Sequence, residues 1–131
     1  MFTKIYFTAL AVFLAIDAIW LGFIAKGFYQ KQIGTLMKSN INWISAFLVY
    51  ALFILGLVIL VLMPGIGKKT IWEVALLGSL LGLVAYGVYD LTNLATLKNW
   101  TLTMTIVDMA WGATVGFLVS IITYTIANKF F

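Results

Sequence analysis

Residues 43–63 read WISAFLVYALFILGLVILVLM, without one charged side chain, and Pro64 and Gly65 follow at once. At 1.5 Å of rise per residue, a helix over this stretch covers about 30 Å, the thickness of a bilayer's hydrocarbon core. Pro64 disfavours helical geometry in the residue before it, so the span is expected to stop at Met63. Working outward, three more apolar runs are also long enough to span: residues 5–25 between Lys4 and Lys26, residues 71–94, and residues 101–127. Four spans predict an all-α, four-transmembrane-helix bundle with both termini on one side and one integral membrane domain over residues 1–131. The first run is too long for a signal peptide and carries Asp17 in its interior, so it is expected to stay in the chain.

Composition agrees and excludes much else. The chain is 64% hydrophobic and 9% charged, whereas soluble domains carry about a quarter charged residues. It has no Cys and no His, which removes disulfides, thiolate metal sites, the commonest imidazole ligand and the usual proton shuttle near neutral pH. Neither a metal nor a cofactor is expected. All eight basic residues are Lys, scattered singly, and suit anionic lipid headgroups better than nucleic acid. Four lysines (Lys4, Lys68, Lys69, Lys129) fall on the face with the termini and four (Lys26, Lys31, Lys38, Lys98) on the other. The positive-inside rule therefore gives no orientation. Between residues 26 and 42, Tyr29, Ile33, Leu36 and Met37 recur at helical spacing, which fits an interfacial amphipathic helix or a plain loop. Trp43, Trp72 and Trp100 open three of the spans, as an interfacial aromatic belt would.

Three of the four acidic residues, Asp17, Asp90 and Asp108, lie inside spans. An aspartate at the middle of a membrane helix costs about 2.5–3.5 kcal/mol on insertion scales, so three of them call for a function. Glu73 begins a span and suits a helix N-terminus. Asp17 precedes Lys26 by nine residues, Asp90 precedes Lys98 by eight, and Asp108 follows Lys98 by ten. The carboxylates thus share one layer, roughly 12–15 Å from the lysines of that face. Ser79, Gly82, Tyr86, Asp90 and Asn93 form one small-and-polar stripe, and Thr105, Asp108, Gly112 and Gly116 belong to another. Each stripe holds a GxxxG step, Gly78 to Gly82 and Gly112 to Gly116, which permits close helix approach. Ala11, Ala15, Ala18 and Gly22 suggest a further packing stripe on the first span, and the second span, with no polar stripe, is expected to be the most lipid-exposed. The repeated Asp-x-x-Trp, at Asp17/Trp20 and Asp108/Trp111, sets an indole beside each carboxylate. Such indoles suit a cation as floor and ceiling of a site, and equally satisfy a buried carboxylate by N–H donation. The candidate ligand- or proton-binding set is Asp17, Asp90, Asp108, Asn93, Tyr86, Tyr89, Trp20 and Trp111.

The stretches Asp17-Ala-Ile-Trp20-Leu-Gly22, Tyr89-Asp90-Leu-Thr-Asn93-Leu-Ala-Thr-Leu-Lys98-Asn-Trp100 and Asp108-Met-Ala-Trp111-Gly112 resemble the bacterial membrane family called domain of unknown function 2177. The resemblance runs over essentially the whole chain. Relatives often carry Pro after the equivalent of Trp100, where this chain has Thr101. It implies a four-span protein of the bacterial inner membrane and brings no established activity or catalytic residues.

Three functions compete on this reading. One is a transporter-like binder of protons or a small cation: clustered carboxylates cannot all ionise cheaply, so a cation would displace protons from them. Size, span count and intramembrane acids beside aromatics look like the small multidrug exporters, without any shared motif. Another is a structural or accessory membrane subunit, whose partner is a second copy of the chain or another membrane protein. The third is an enzyme modifying a lipid or isoprenoid, against which stand the missing His, Cys and Arg.

Overall fold

A computed structural model describes all residues, 1–131. Five helices follow one another: α1 (Phe2–Ile24), α2 (Lys26–Ile33), α3 (Trp43–Gly65), α4 (Ile71–Thr96) and α5 (Leu102–Phe130). α1, α3, α4 and α5 are the four helices long and apolar enough to cross a membrane. They alternate in direction, so both termini emerge together, and the Lys4 ammonium sits 5.6 Å from the Phe131 ring centroid.

Local chemistry sets the ends. Asn42 caps α3 by accepting from the Ser45 N–H, and Thr101 caps α5 by accepting from Met104. Thr70 and Glu73 form a reciprocal capping box at the start of α4. In the turn between α3 and α4, Gly67 has φ +79°, a left-handed conformation that favours glycine.

The spans run two or three residues beyond several of the expected ends. Pro64 does not stop α3 at Met63, and helical structure continues to Gly65. A π-helical turn over Val58–Leu62 lies directly ahead of it. The i→i−4 ladder is thus already displaced where the proline lacks an N–H, and the chain tolerates it. A second π turn, Trp20–Ile24, ends α1, closed by the Ala25 N–H on the Trp20 carbonyl at 2.7 Å.

α4 and α5 form the tightest pair, antiparallel through both GxxxG steps. A Cβ on Gly82 or Gly116 would run into the backbone of Gly112 or Gly78 respectively, and one on Gly78 would meet Ser120. Small residues are what allow this approach. The main apolar core lies in the half of the bundle near the termini, where Ile5, Ala9, Ile54, Val58, Val74, Val115 and Val119 interlock. Toward the α2 face a cavity opens among the helices, and it makes room for a site.

Two packing expectations change. The first span, not the second, is the least covered: 17% of its apolar window is buried against 28% for α3. α1 buries only the line Ile5, Ala9, Phe13, Asp17, whereas α3 drives Ile54, Leu57, Val58, Val61 and Leu62 into the core. The stripe Ala11, Ala15, Ala18, Gly22 is exposed and meets no neighbour within the chain. Among the three span-opening tryptophans, Trp43 and Trp72 are exposed, but Trp100 is buried and donates its indole N–H to Thr105 Oγ1 at 3.0 Å.

Candidate functional site

The site begins with α2. Its sequence periodicity turns Tyr29 and Ile33, with Met37 beyond the helix, onto the open end of the bundle, where they line a cavity of about 470 Å³. The helix therefore roofs the bundle instead of only lying on the membrane surface. Two bonds hold it there. Thr101 Oγ1 donates to Gln32 Oε1 at 2.6 Å, and Tyr29 donates to Asp108 Oδ1 at 2.7 Å. The Tyr29 hydroxyl in turn accepts from Trp20 Nε1 at 2.9 Å, giving a relay from indole to phenol to carboxylate. Burial pushes the Tyr29 phenol well above its ordinary pKa, and the Asp108 carboxylate pushes the same way, so the phenol stays a donor.

Asp17 and Asp108 both line this cavity. Both oxygens of Asp17 are satisfied, Oδ2 by the Tyr50 hydroxyl at 2.8 Å and Oδ1 by Trp111 Nε1 at 3.3 Å. Asp90 differs. It is wholly buried, and neither of its oxygens meets a donor. The carboxyl of Asp108, on α5, stands nearby. The cluster thus divides into a satisfied carboxylate on α1 and two neighbouring carboxyls on α4 and α5. No three acidic groups stand close enough to hold one metal ion.

The aromatic candidates take several positions. Tyr86 and Tyr89 line the cavity, and the Tyr86 ring lies where a side chain on Gly112 would be. Tyr89 stands edge-on to Trp100 at 5.6 Å. Asn93 itself is half-buried and does not line the cavity. Trp20 and Trp111 do not bracket the carboxylates as floor and ceiling. They stack on each other at 4.3 Å with planes 5° apart, and only Trp111 reaches the cavity. Asp17 to Trp20 is regular α-helix, and the π turn begins only at Trp20, so the stacking is set by how α1 and α5 face each other.

Tyr29 and Tyr50 are the residues that sequence reading left out of the site. Tyr50 is the one tyrosine in the otherwise apolar stretch 43–63. A buried phenol needs an acceptor, and that was the available signal.

A cleft of about 650 Å³ between α3 and α4 shares Tyr50, Tyr86, Tyr89 and Asp108 with the cavity. Its remaining lining is largely apolar, including Phe13, Val49, Leu52, Phe53, Gly56 and Leu81.

Neither a curated protein nor a solved structure matches this chain. The family model for domain of unknown function 2177, described as a predicted membrane protein, matches residues 2–125. With nearly its whole length matched, four apolar helices and no strand, the chain belongs to the membrane protein family called domain of unknown function 2177.

Proposed function

We propose that this protein is a transporter-like binder of a cation, in the bacterial inner membrane, that exchanges the cation for a proton held on its intramembrane aspartates. The observation that carries the reading is Asp90, wholly buried with no donor on either oxygen and with the carboxyl of Asp108 nearby. Two neighbouring carboxylates, one of them without any donor, repel each other, and a proton on one relieves the repulsion. Asp108 also borders the cavity, so a cation arriving there competes for the same oxygens. Binding then releases the proton into the cavity, and departure of the cation takes it back. The cavity walls add aromatic faces from Tyr50, Tyr86 and Trp111, a favourable surround for an organic cation.

Proton release tests the proposal. Purified protein in lipid nanodiscs, weakly buffered with a pH indicator, is titrated with inorganic and quaternary ammonium cations. Wild type is expected to release protons saturably, and Asp90→Asn and Asp108→Asn to release none. Equal release from wild type and both variants would overturn the exchange reading.

A second reading has its own support at Asp17. With both oxygens satisfied by donors from α3 and α5, this residue ties three spans together, as a structural or accessory subunit would require. Asn at position 17 is expected to keep the bundle folded, while Leu is expected to loosen it.

A further inference from the structure

The cavity near the lysines and the cleft between α3 and α4 meet at Asp108, Tyr50, Tyr86 and Tyr89. They differ in character. The cavity is bordered by Asp17, Asp108 and Lys26 and lies under α2, toward the membrane surface. The cleft is bordered by apolar side chains and extends along α3 from Ser45 to Gly56, about 16 Å at the helical rise. Its rim is open sideways: Val49 is 57% exposed, Leu52 68% and Tyr89 55%. In a bundle that crosses the membrane, these rim residues border lipid chains instead of water. Gly56 leaves open space in the wall, with nothing within 4 Å of where its Cβ would lie. A carboxylate therefore stands at the inner end of an apolar slot that opens into the hydrocarbon.

From this junction we infer that the ligand class of the site is a cation carrying one aliphatic chain, taken in laterally from the bilayer. The inference rests on the cation-exchange reading above and adds the tail and the entry route. Charge complementarity fixes the head: the cleft meets the cavity at Asp108, with Asp17 across it. The donors to these carboxylates are phenols and an indole, with no lysine among them, so their charge is not already paired. The slot's apolar lining fixes the tail. Leu52, Phe53 and Leu81 offer apolar contact along one chain, and such a chain loses little on leaving lipid for a slot of similar polarity. A small hydrophilic cation gains nothing from this route.

The experiment compares two probes with the same head, tetramethylammonium and dodecyltrimethylammonium. The protein sits in phosphatidylcholine nanodiscs, and empty nanodiscs correct for partitioning into lipid. Proton release and tryptophan fluorescence are both recorded. Wild type is expected to respond to the dodecyl compound at a free aqueous concentration at least about tenfold lower, which is 1.4 kcal/mol or more of tail contact relative to water. Gly56→Phe at one end of the slot, or Val49→Trp on its rim, is expected to bring the dodecyl response down to the tetramethylammonium level. Equal response to both probes in wild type, or a tail advantage that survives both slot variants, overturns the lipophilic-cation inference and leaves cation exchange standing. Absence of proton release with either probe overturns the exchange reading itself.

Discussion

Tyr29 Oη lies 2.7 Å from Asp108 Oδ1 across 79 positions of chain, joining the short α2 helix to the second turn of the last span. This bond is the main polar tether between the roof and the carboxylates, and it also orients Trp20. Tyr29→Phe keeps the ring and deletes both bonds. A hydrogen bond to a charged group contributes about 1.5–3 kcal/mol, so the variant is expected to lose about that much stability in detergent or nanodiscs. Amide hydrogen exchange should rise in residues 26–36 and stay unchanged in the α4–α5 pair. Unaltered exchange in α2 would show that Thr101 and the apolar face hold the roof alone.

The α4–α5 interface is expected to be the least tolerant part of the bundle. At Gly82 an added methyl meets the Gly112 carbonyl, and at Gly116 it meets that of Gly78. Neither obstacle is the flexible end of a side chain, so the helices must part. Gly82→Ala and Gly116→Ala should each cost about 1–3 kcal/mol. Gly22→Ala meets open space and should change stability by less than about 0.5 kcal/mol. Thermal or SDS unfolding of the three variants checks the contrast.

Stability and exchange should separate at Asp90. Asn at this position supplies N–H donors beside Asp108, where the carboxylate has none to offer. Relief of buried unsatisfied oxygens is expected to keep or raise stability, by up to about 1–3 kcal/mol, while cation-dependent proton release disappears. Paired measurement of unfolding and proton release on Asp90→Asn decides this. A destabilised variant would mean that the carboxyl is already satisfied in the membrane.

Stacked indoles 4.3 Å apart and within 5° of parallel are close enough for their electronic transitions to couple. The circular dichroism of the folded protein should therefore carry a tryptophan couplet that Trp20→Phe and Trp111→Phe each abolish. Trp111→Phe also removes a donor from Asp17 and should cost more stability than Trp20→Phe. A spectrum unchanged in both variants would show that the rings do not stack in lipid.

Much of the architecture was legible because membrane insertion acts on composition over whole segments. Twenty or so apolar residues identify a span whatever its neighbours are, and Asn42, Thr70 and Thr101 cap helices through bonds to residues three positions on. The close approach of α4 and α5 was also readable from Gly78, Gly82, Gly112 and Gly116, since a missing side chain sets how near two helices can come. Pro64 shows where a local rule gives way: a π turn just before it lets the helix continue.

The sequence by itself determined four spans, termini on one face, and three aspartates at a common depth, because length, hydropathy and helical rise are properties of each segment alone. Only the tertiary structure decided that Asp90 is buried without a donor while Asp17 is satisfied by Tyr50 and Trp111. It likewise decided that the two indoles stack and that α2 folds over the cavity. Those outcomes depend on how each helix is rotated about its axis and how far it stands from the others. Rotation and spacing come from the summed packing of all the helices, which no one segment encodes.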